Sequence, residues 1–395
     1  MREIDYLERS KGIKMNRIKV MAIFGTRPEA IKMIPLIKVL KENRRQFECI
    51  VCVSAQHREM LDQVLEIFEI IPDYDLDVMQ KRQSLTGITM RVLEGLEKVM
   101  IKERPNLVLV HGDTTTTFAA GLAAFYQQIP IGHVEAGLRT WDKYSPYPEE
   151  MNRQLTDILA DLYFAPTDWS AENLLKENKP ESQIFITGNT VIDSFKTSVR
   201  RDYVHPVLNK IKDKKMVLLT SHRRENLGQP MERMFRAVRR LVEAHPEIAV
   251  VYPVHLNPTV QEPANKVLGN HDRIHLIPPL DVVDFHNFEA RAFLILSDSG
   301  GVQEEAPSFG VPVLVLRDTT ERPEGIKAGT LKLVGTEEEE IYRTAHLLLS
   351  DETEYMQMAK ATNPYGDGRA SERIAEAILY YFHKRKEPPE PFKIN

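Results

Sequence analysis

Cysteine is nearly absent from this chain: Cys49 and Cys52 are the only two. Their C-x-x-C spacing lies inside the apolar run ECIVCV rather than at the start of a helix. It reads as two reduced strand thiols, not a redox pair or a disulfide framework. Long hydrophobic runs are missing as well. The longest stretch free of Asp, Glu, Lys and Arg, Thr114–Val134, carries four threonines, two glutamines and Pro130, which excludes a membrane span. The opening MREIDYLERSKGIKMNRIKV has no apolar leader region, so a cytoplasmic protein is expected. Charge of one sign is lacking too. Against 57 Asp and Glu stand 52 Lys and Arg, a net charge of −5. No basic footprint for nucleic acid or an anionic membrane exists at chain level, although a small anionic ligand needs only a few local cations. No G-x-G-x-x-G follows the first strand, which leaves a tightly held NAD unsupported. Asp73–Asp77 mimics a calcium loop but lacks the following glycine and the twelfth-position glutamate, and reads as a solvated turn. With no metal-ligand cluster of recognised spacing, neither a metal nor a cofactor is expected.

What the chain does have is length and rhythm. Its 395 residues suit two or three domains of ~150 residues, and 42% hydrophobic content beside 28% charged residues excludes wholesale disorder. Apolar runs alternate with amphipathic stretches, the signature of parallel α/β sheets. A first series of strands is expected at Ile18–Phe24, Cys49–Ser54, Leu107–Val110, Ile131–Val134, Leu162–Phe164 and Ile184–Thr187. A second is expected at Met216–Thr220, Ala249–Pro253, Ile274–Leu276, Phe293–Ser297 and Val313–Leu316. The polar, basic Arg200–Lys215 between them reads as a linker. VMAIFGTRPEAI and MVLLTSHRREN echo one another, each running from a strand into a turn with arginines. Two doubly wound domains follow, with ligands expected in a cleft at the carboxyl ends of their strands. A helix over Ser371–Lys384, capped by Ser371, precedes a tail, KEPPEPFKIN, that looks disordered.

Chemistry concentrates after strands. Gly25–Lys32 places Arg27 and Lys32 around a helix start with Pro28 in its first turn, an anion site by dipole and free amides or else a solvated basic turn. His111-Gly112-Asp113 ends one strand and Thr114–Thr117 caps the next helix, so Asp113 is either an N-cap or a catalytic acid. Glu135 follows Ile131–Val134. Glu149 and Arg153 share a helix face at i, i+4 and could be a surface ion pair. Yet three acids entering from successive segments suit general acid/base work, which needs carboxylates of separated pKa. In the second half, His222 with Arg223 and Arg224 could meet a diphosphate or move a proton. Ser299-Gly300-Gly301 opens a helix with unhindered amides, and Glu305, one turn later, could accept from ribose hydroxyls. The segment from Arg317 to Glu324, which holds Arg322, adds charge to the same rim.

Taken together, GTRPEAIK, HGDTTT, HVEAGLRT, PEEMNR, SHRREN, SDSGGVQEEAP and RDTTERPE resemble the motifs of the bacterial non-hydrolysing UDP-N-acetylglucosamine 2-epimerases, in the family's order from about Asn16 to Lys384. The resemblance implies two Rossmann-like domains of the glycosyltransferase-B type. The first would span residues 16–198, with helix 371–384 packing back on it, and the second, UDP-binding domain residues 199–370. It implies reversible interconversion of UDP-GlcNAc and UDP-ManNAc without a cofactor, for cell-envelope polysaccharides. Asp113, Glu135, Glu149 and His222 would surround the sugar, with Arg153 supporting Glu149. Arg27 and Lys32 would bind nucleotide or phosphate, Ser299, Gly300 and Gly301 the diphosphate, Glu305 the ribose, and Arg322 the substrate further on. The loop Leu280–Phe285 would contact uracil, with Phe285 at the aromatic position. The family also suggests a homodimer and activation by UDP-GlcNAc at Gln56, Glu59, Arg82, Glu149, Arg223 and His255. Glu59 stands where glutamine is expected, and Gln56–Arg58 could equally be an ordinary surface loop.

Overall fold

The structure, a computed structural model, describes residues 17–320 and 322–394. The charged opening stretch up to Asn16, and Glu321 of the RDTTERPE motif, lie outside the described residues. The chain divides into two compact units. One comprises the described residues up to Ser194 together with Gly368–Phe392, and the other Phe195–Asp367.

The first unit is a seven-stranded sheet built from β1 (Ile18–Phe24), β2 (Phe47–Val53), β3 (Tyr74–Asp75), β4 (Leu107–His111), β5 (Ile131–Val134), β6 (Leu162–Ala165) and β7 (Ile184–Ile186). Its order is β3-β2-β1-β4-β5-β6-β7, with every pairing parallel. Strands covered by helices on both faces read as continuous apolar runs, which is why LVLV and IFI stood out. Cys49 and Cys52, three apart on β2, face opposite sides of the sheet. Both thiols are free, and burial pushes each up to about 12.

The second unit repeats the plan with β8 (Lys215–Thr220), β9 (Ile248–Pro253), β10 (Ile274–Ile277), β11 (Leu294–Ser297), β12 (Val313–Val315) and β13 (Leu331–Leu333). The order is β10-β9-β8-β11-β12-β13, again wholly parallel. Both units are thus α/β and Rossmann-like, and the strand order reverses at β1/β4 and at β8/β11. Ligands favour the carboxyl ends of strands at such reversals.

Four expectations need correction. Arg200–Lys215 is not a bare linker: it contains a helix, Pro206–Lys210, and Tyr203, Val207, Leu208 and Ile211 pack on the core of the second unit. The solvated turn at Asp73–Asp77 contains β3, two residues paired with Cys52 and Val53. Ser371 does not cap the last helix, which spans Ala370–Tyr381. The buried Asp193 carboxylate accepts from the amides of Ala370 (3.1 Å) and Ser371 (2.6 Å) instead. Nor is the tail disordered, because Phe392 is buried and its N–H donates to the Ile186 carbonyl at 2.8 Å. The helix Ala370–Tyr381 packs against the helix Arg27–Glu42. Among the described residues no helix is long and apolar enough to cross a membrane.

Candidate active site

The β1 turn is built around a buried carboxyl. Glu29 Oε2 accepts from the amides of Gly25 (3.0 Å) and Thr26 (2.8 Å), and Oε1 from the hydroxyls of Thr114 (2.8 Å) and Thr117 (2.9 Å). A side chain at Gly25 would collide with Ser54 Oγ, so the turn must be glycine there. Arg27 opens the helix half-buried, and burial lowers its pKa. It has no ion-pair partner among the described residues, which suits a guanidinium waiting for an anion.

The acids gather at the ends of β4 and β5. Glu135, in a left-handed backbone conformation (φ 66°), meets the Lys32 ammonium and accepts from Asn189 Nδ2 at 3.1 Å. His111 Nε2 lies 3.8 Å from the other Glu135 oxygen. Burial lowers His111 to about 4, so it stands as a neutral imidazole. Asp113 is not the N-cap of the helix Thr115–Tyr126; Thr114 is. Asp113 accepts from Arg153 at 2.6 Å instead. Burial pushes its carboxyl up, Arg153 pulls it down, and the charges of Glu135 and Glu149 push it up again. Asp113 therefore lies within electrostatic reach of both Glu135 and Glu149. The expected support of Glu149 by Arg153 is corrected: that guanidinium bonds Asp113 and Glu150, at 2.6 and 2.8 Å. An i, i+4 spacing permits a pair, but the half-buried Asp113 from another element and the buried Glu150 compete better. Beneath these residues, His133 bridges Asp157 (2.6 Å) and the Gly112 carbonyl (2.8 Å), while Arg139 donates to Asp157 at 2.6 Å.

In the second unit the organising group is Asp298, fully buried. Its Oδ2 accepts from Ser221 Oγ, His222 N, Arg223 N and Asn226 Nδ2, all at 3.0 Å. One carboxylate thus folds the whole SHRREN turn against β11. The His222 ring is partly exposed and stacks on His255 at 5.6 Å, and its partial burial pushes it down. Ser299 is the N-cap of the helix Gly300–Glu305, with no side chain capping its amides. A Cβ on Gly300 would lie 2.8 Å from the Arg322 guanidinium, and one on Gly301 3.2 Å from Glu305 Oε1. Arg322, Glu305 and the glycine turn therefore share one spot. Arg322 Nε also donates to Glu304 at 2.8 Å. Leu280 and Phe285 pack partly buried on the same core, but the expected loop is corrected: Asp281 caps a helix that begins at Val282.

Of the activator set, Gln56, Glu59, Arg82 and Glu149 belong to the first unit, and Arg223 and His255 to the second. Gln56 is buried and its Oε1 accepts from Thr116 N and Oγ1, so it is not a plain surface loop residue. Glu59 and Arg82 are exposed.

The family model for UDP-N-acetylglucosamine 2-epimerase matches residues 39–379. The UDP-N-acetylglucosamine 2-epimerase of Bacillus subtilis is 60% identical over 378 residues, covering 96% of this chain and 99% of its own. The chain belongs to this family. The identity lies with its non-hydrolysing bacterial branch. A Listeria monocytogenes crystal structure has a TM-score of 0.92 at 58% identity, covering 96% of this chain and 100% of that one. The Neisseria meningitidis UDP-GlcNAc 2-epimerase bound to UDP-GlcNAc has a TM-score of 0.83 at 48% identity, covering 92% and 100%. The glycosyltransferase-B type of the family matches the two Rossmann-like units described above.

Motif reading passed over five residues that the structure draws into these clusters: Glu29, His111, Asn189, Asp298 and Glu289. His111 and Asp298 had a signal, since each stands at a strand's carboxyl end in a motif already singled out. Glu289 had none. With His286 and Glu305 it forms a set whose donor atoms lie within 4.8 Å of one another.

Proposed function

We propose that this enzyme interconverts UDP-GlcNAc and UDP-ManNAc by eliminating UDP across C1–C2 to a 2-acetamidoglucal and adding it back. The C2 hydrogen is not adjacent to a carbonyl, so direct deprotonation is too costly. Elimination lets UDP leave with the bonding pair from C1 as a base removes the C2 proton. Protonation of the glucal from the other face, with return of UDP to C1, inverts C2. Such a site must supply acids and bases around the ring and keep UDP bound through the intermediate.

The observation that carries this reading is Asp113 within electrostatic reach of Glu135 and Glu149, with the neutral His111 and the Lys32 ammonium beside Glu135. Proton transfer and binding around the sugar fall to Asp113, Glu135, Glu149 and His222. Binding falls to Arg27 and to the Ser299–Gly301 turn, with Glu305 on the ribose, Arg322 beside the diphosphate and Leu280 and Phe285 near uracil. No nicotinamide is required. A homodimer and a supply of ManNAc units for cell-envelope polysaccharides complete the proposal. Proton NMR of UDP-GlcNAc with the enzyme in deuterated water tests it. UDP-ManNAc carrying deuterium at C2 is expected with nothing else added, whereas sugar moving only onto an added acceptor would make the enzyme a glycosyltransferase.

UDP-GlcNAc is also proposed as an activator through Gln56, Glu59, Arg82, Glu149, Arg223 and His255, by shifting population toward the state it binds better. Glu59 keeps an acceptor where glutamine would add an amide donor, and its charge disfavours a diphosphate, so activation should be weaker. With UDP-ManNAc alone the reverse reaction should start slowly and accelerate on traces of UDP-GlcNAc. Full initial velocity, unchanged by the addition, would remove the second site.

A further inference from the structure

The side chain of His133, on β5, is fully buried, and so are those of Asp157 and Arg139 beside it. Both of its ring nitrogens face acceptors. Nδ1 lies 2.6 Å from Asp157 Oδ1, and Nε2 lies 2.8 Å from the Gly112 carbonyl, which has no hydrogen to give. Nε2 must therefore carry the hydrogen of its bond. At Nδ1 the choice is between a histidine hydrogen and a carboxylic-acid hydrogen. Asp157 decides it, because its other oxygen accepts from Arg139 Nη2 at 2.6 Å. Burial pushes the Asp157 carboxyl up, but His133 and Arg139 outweigh it and hold it below the ordinary carboxylate value. Charge counting agrees. Arg139 also donates to both oxygens of Glu177, at 2.7 and 2.8 Å, so two carboxylates share one guanidinium and a second cation is needed to balance them.

The bond to Gly112 falls where geometry counts. Gly112 adopts a left-handed backbone conformation (φ 68°), and its N–H donates to the Val134 carbonyl at 2.9 Å. Its own carbonyl belongs to the peptide group that leads into Asp113. Two neighbours on β5 thus hold both polar groups of Gly112. We infer that His133 is a positioning residue that carries a hydrogen on each ring nitrogen, donates one to Asp157 and the other to the Gly112 carbonyl, and so fixes the turn that presents Asp113 to the sugar. The inference rests on the proton-transfer role proposed for Asp113. A neutral imidazole has one hydrogen for two acceptors, whereas the imidazolium ties the turn to the Arg139–Asp157 pair. Arg153 holds the Asp113 carboxylate itself, and His133 holds the backbone behind it. A charge-assisted bond at that peptide group is stronger than a neutral one, so the turn keeps its place when the charge on Asp113 changes.

The test has two readouts. Heteronuclear NMR of enzyme labelled at the histidine ring nitrogens should show, at the pH of the assay, a ring with slowly exchanging hydrogens on both nitrogens, missing from the His133→Gln spectrum. A His133 ring with a single hydrogen would overturn the inference whatever the kinetics. Steady-state assays of UDP-GlcNAc epimerisation then compare His133→Phe, which keeps a ring without donors, with His133→Gln, which returns one amide donor toward Gly112. The kcat should fall ~10²-fold in His133→Phe and recover about tenfold in His133→Gln, the scale of an ångström's misplacement of a catalytic group, with KM little changed in either. Added to Asp113→Asn, His133→Phe should lower kcat no further, because residues that act as a unit are not additive. A further loss as large as in the wild-type background would overturn the positioning role, since His133 would then serve the fold or another group. Wild-type kcat in His133→Phe would overturn it too. Near-normal turnover of Asp113→Asn would instead remove the role proposed for Asp113, and the positioning role with it, while the two ring hydrogens stand.

Discussion

The two units share a sheet plan and use their strand ends in opposite ways. In the first, the β1 turn spends its amides on its own Glu29 carboxyl, and the half-buried groups beside it are acidic: Asp113, Glu135 and Glu149. In the second, the buried acid Asp298 ties up the SHRREN turn, while the Gly300–Glu305 helix start carries no side-chain cap and lies beside Arg322. On the proposed function, one fold is thus furnished once for moving protons and once for holding an anion. The backbone supplies strand ends and helix starts, and a single carboxylate decides which amides remain for a ligand.

The largest effect should come from breaking the acidic side. Asp113→Asn and Glu135→Gln should each lower turnover ~10²-fold or more, the usual worth of a general acid or base, as measured by coupled assay at saturating UDP-GlcNAc. Near-normal turnover in both would return these residues to structural pairing and erase the contrast. On the anion side, Gly300→Ala places a methyl 2.8 Å from the Arg322 guanidinium, which must give way. UDP affinity should fall ~10-fold, about the worth of one charge-assisted contact, with a smaller change in turnover at saturation. Equal losses in both quantities would mean that the glycine turn serves chemistry as well as binding. The smallest effect sharpens the acidic side. Arg153 holds the Asp113 carboxyl down, so Arg153→Ala disfavours its charged form and should move the acid limb of the pH–rate profile upward by about one unit. A limb that stays put would assign it to another group.

Long apolar strands were legible in the sequence because helices cover both faces of each sheet. Two short ones were not: β3 is two residues, and β13 hides around Lys332 in TLKL. Boundaries of the longer strands moved by a residue or two, as with Cys49–Ser54 against Phe47–Val53. The proposed site was legible where a strand's carboxyl end and a chemistry-bearing motif coincide, at Asp113, Glu135 and Ser299–Gly301. It was illegible where a partner comes from far along the chain. Asp193 caps a helix that begins at Ala370, Arg153 turns from Glu149 to Asp113, and Glu289 meets Glu305 across two helices. Phe392 likewise docks beside β7 from a segment whose composition reads as tail. Local spacing carries no information about which distant carboxylate will claim an amide.

The division of labour between the units is tested most directly by the affinity for UDP of a triple variant, Asp113→Asn with Glu135→Gln and Glu149→Gln, measured by calorimetry. The account predicts UDP binding close to that of the wild type in an enzyme that no longer exchanges the C2 proton. Loss of UDP binding in the folded triple variant would contradict it, because the acids would then hold the nucleotide rather than act on the sugar.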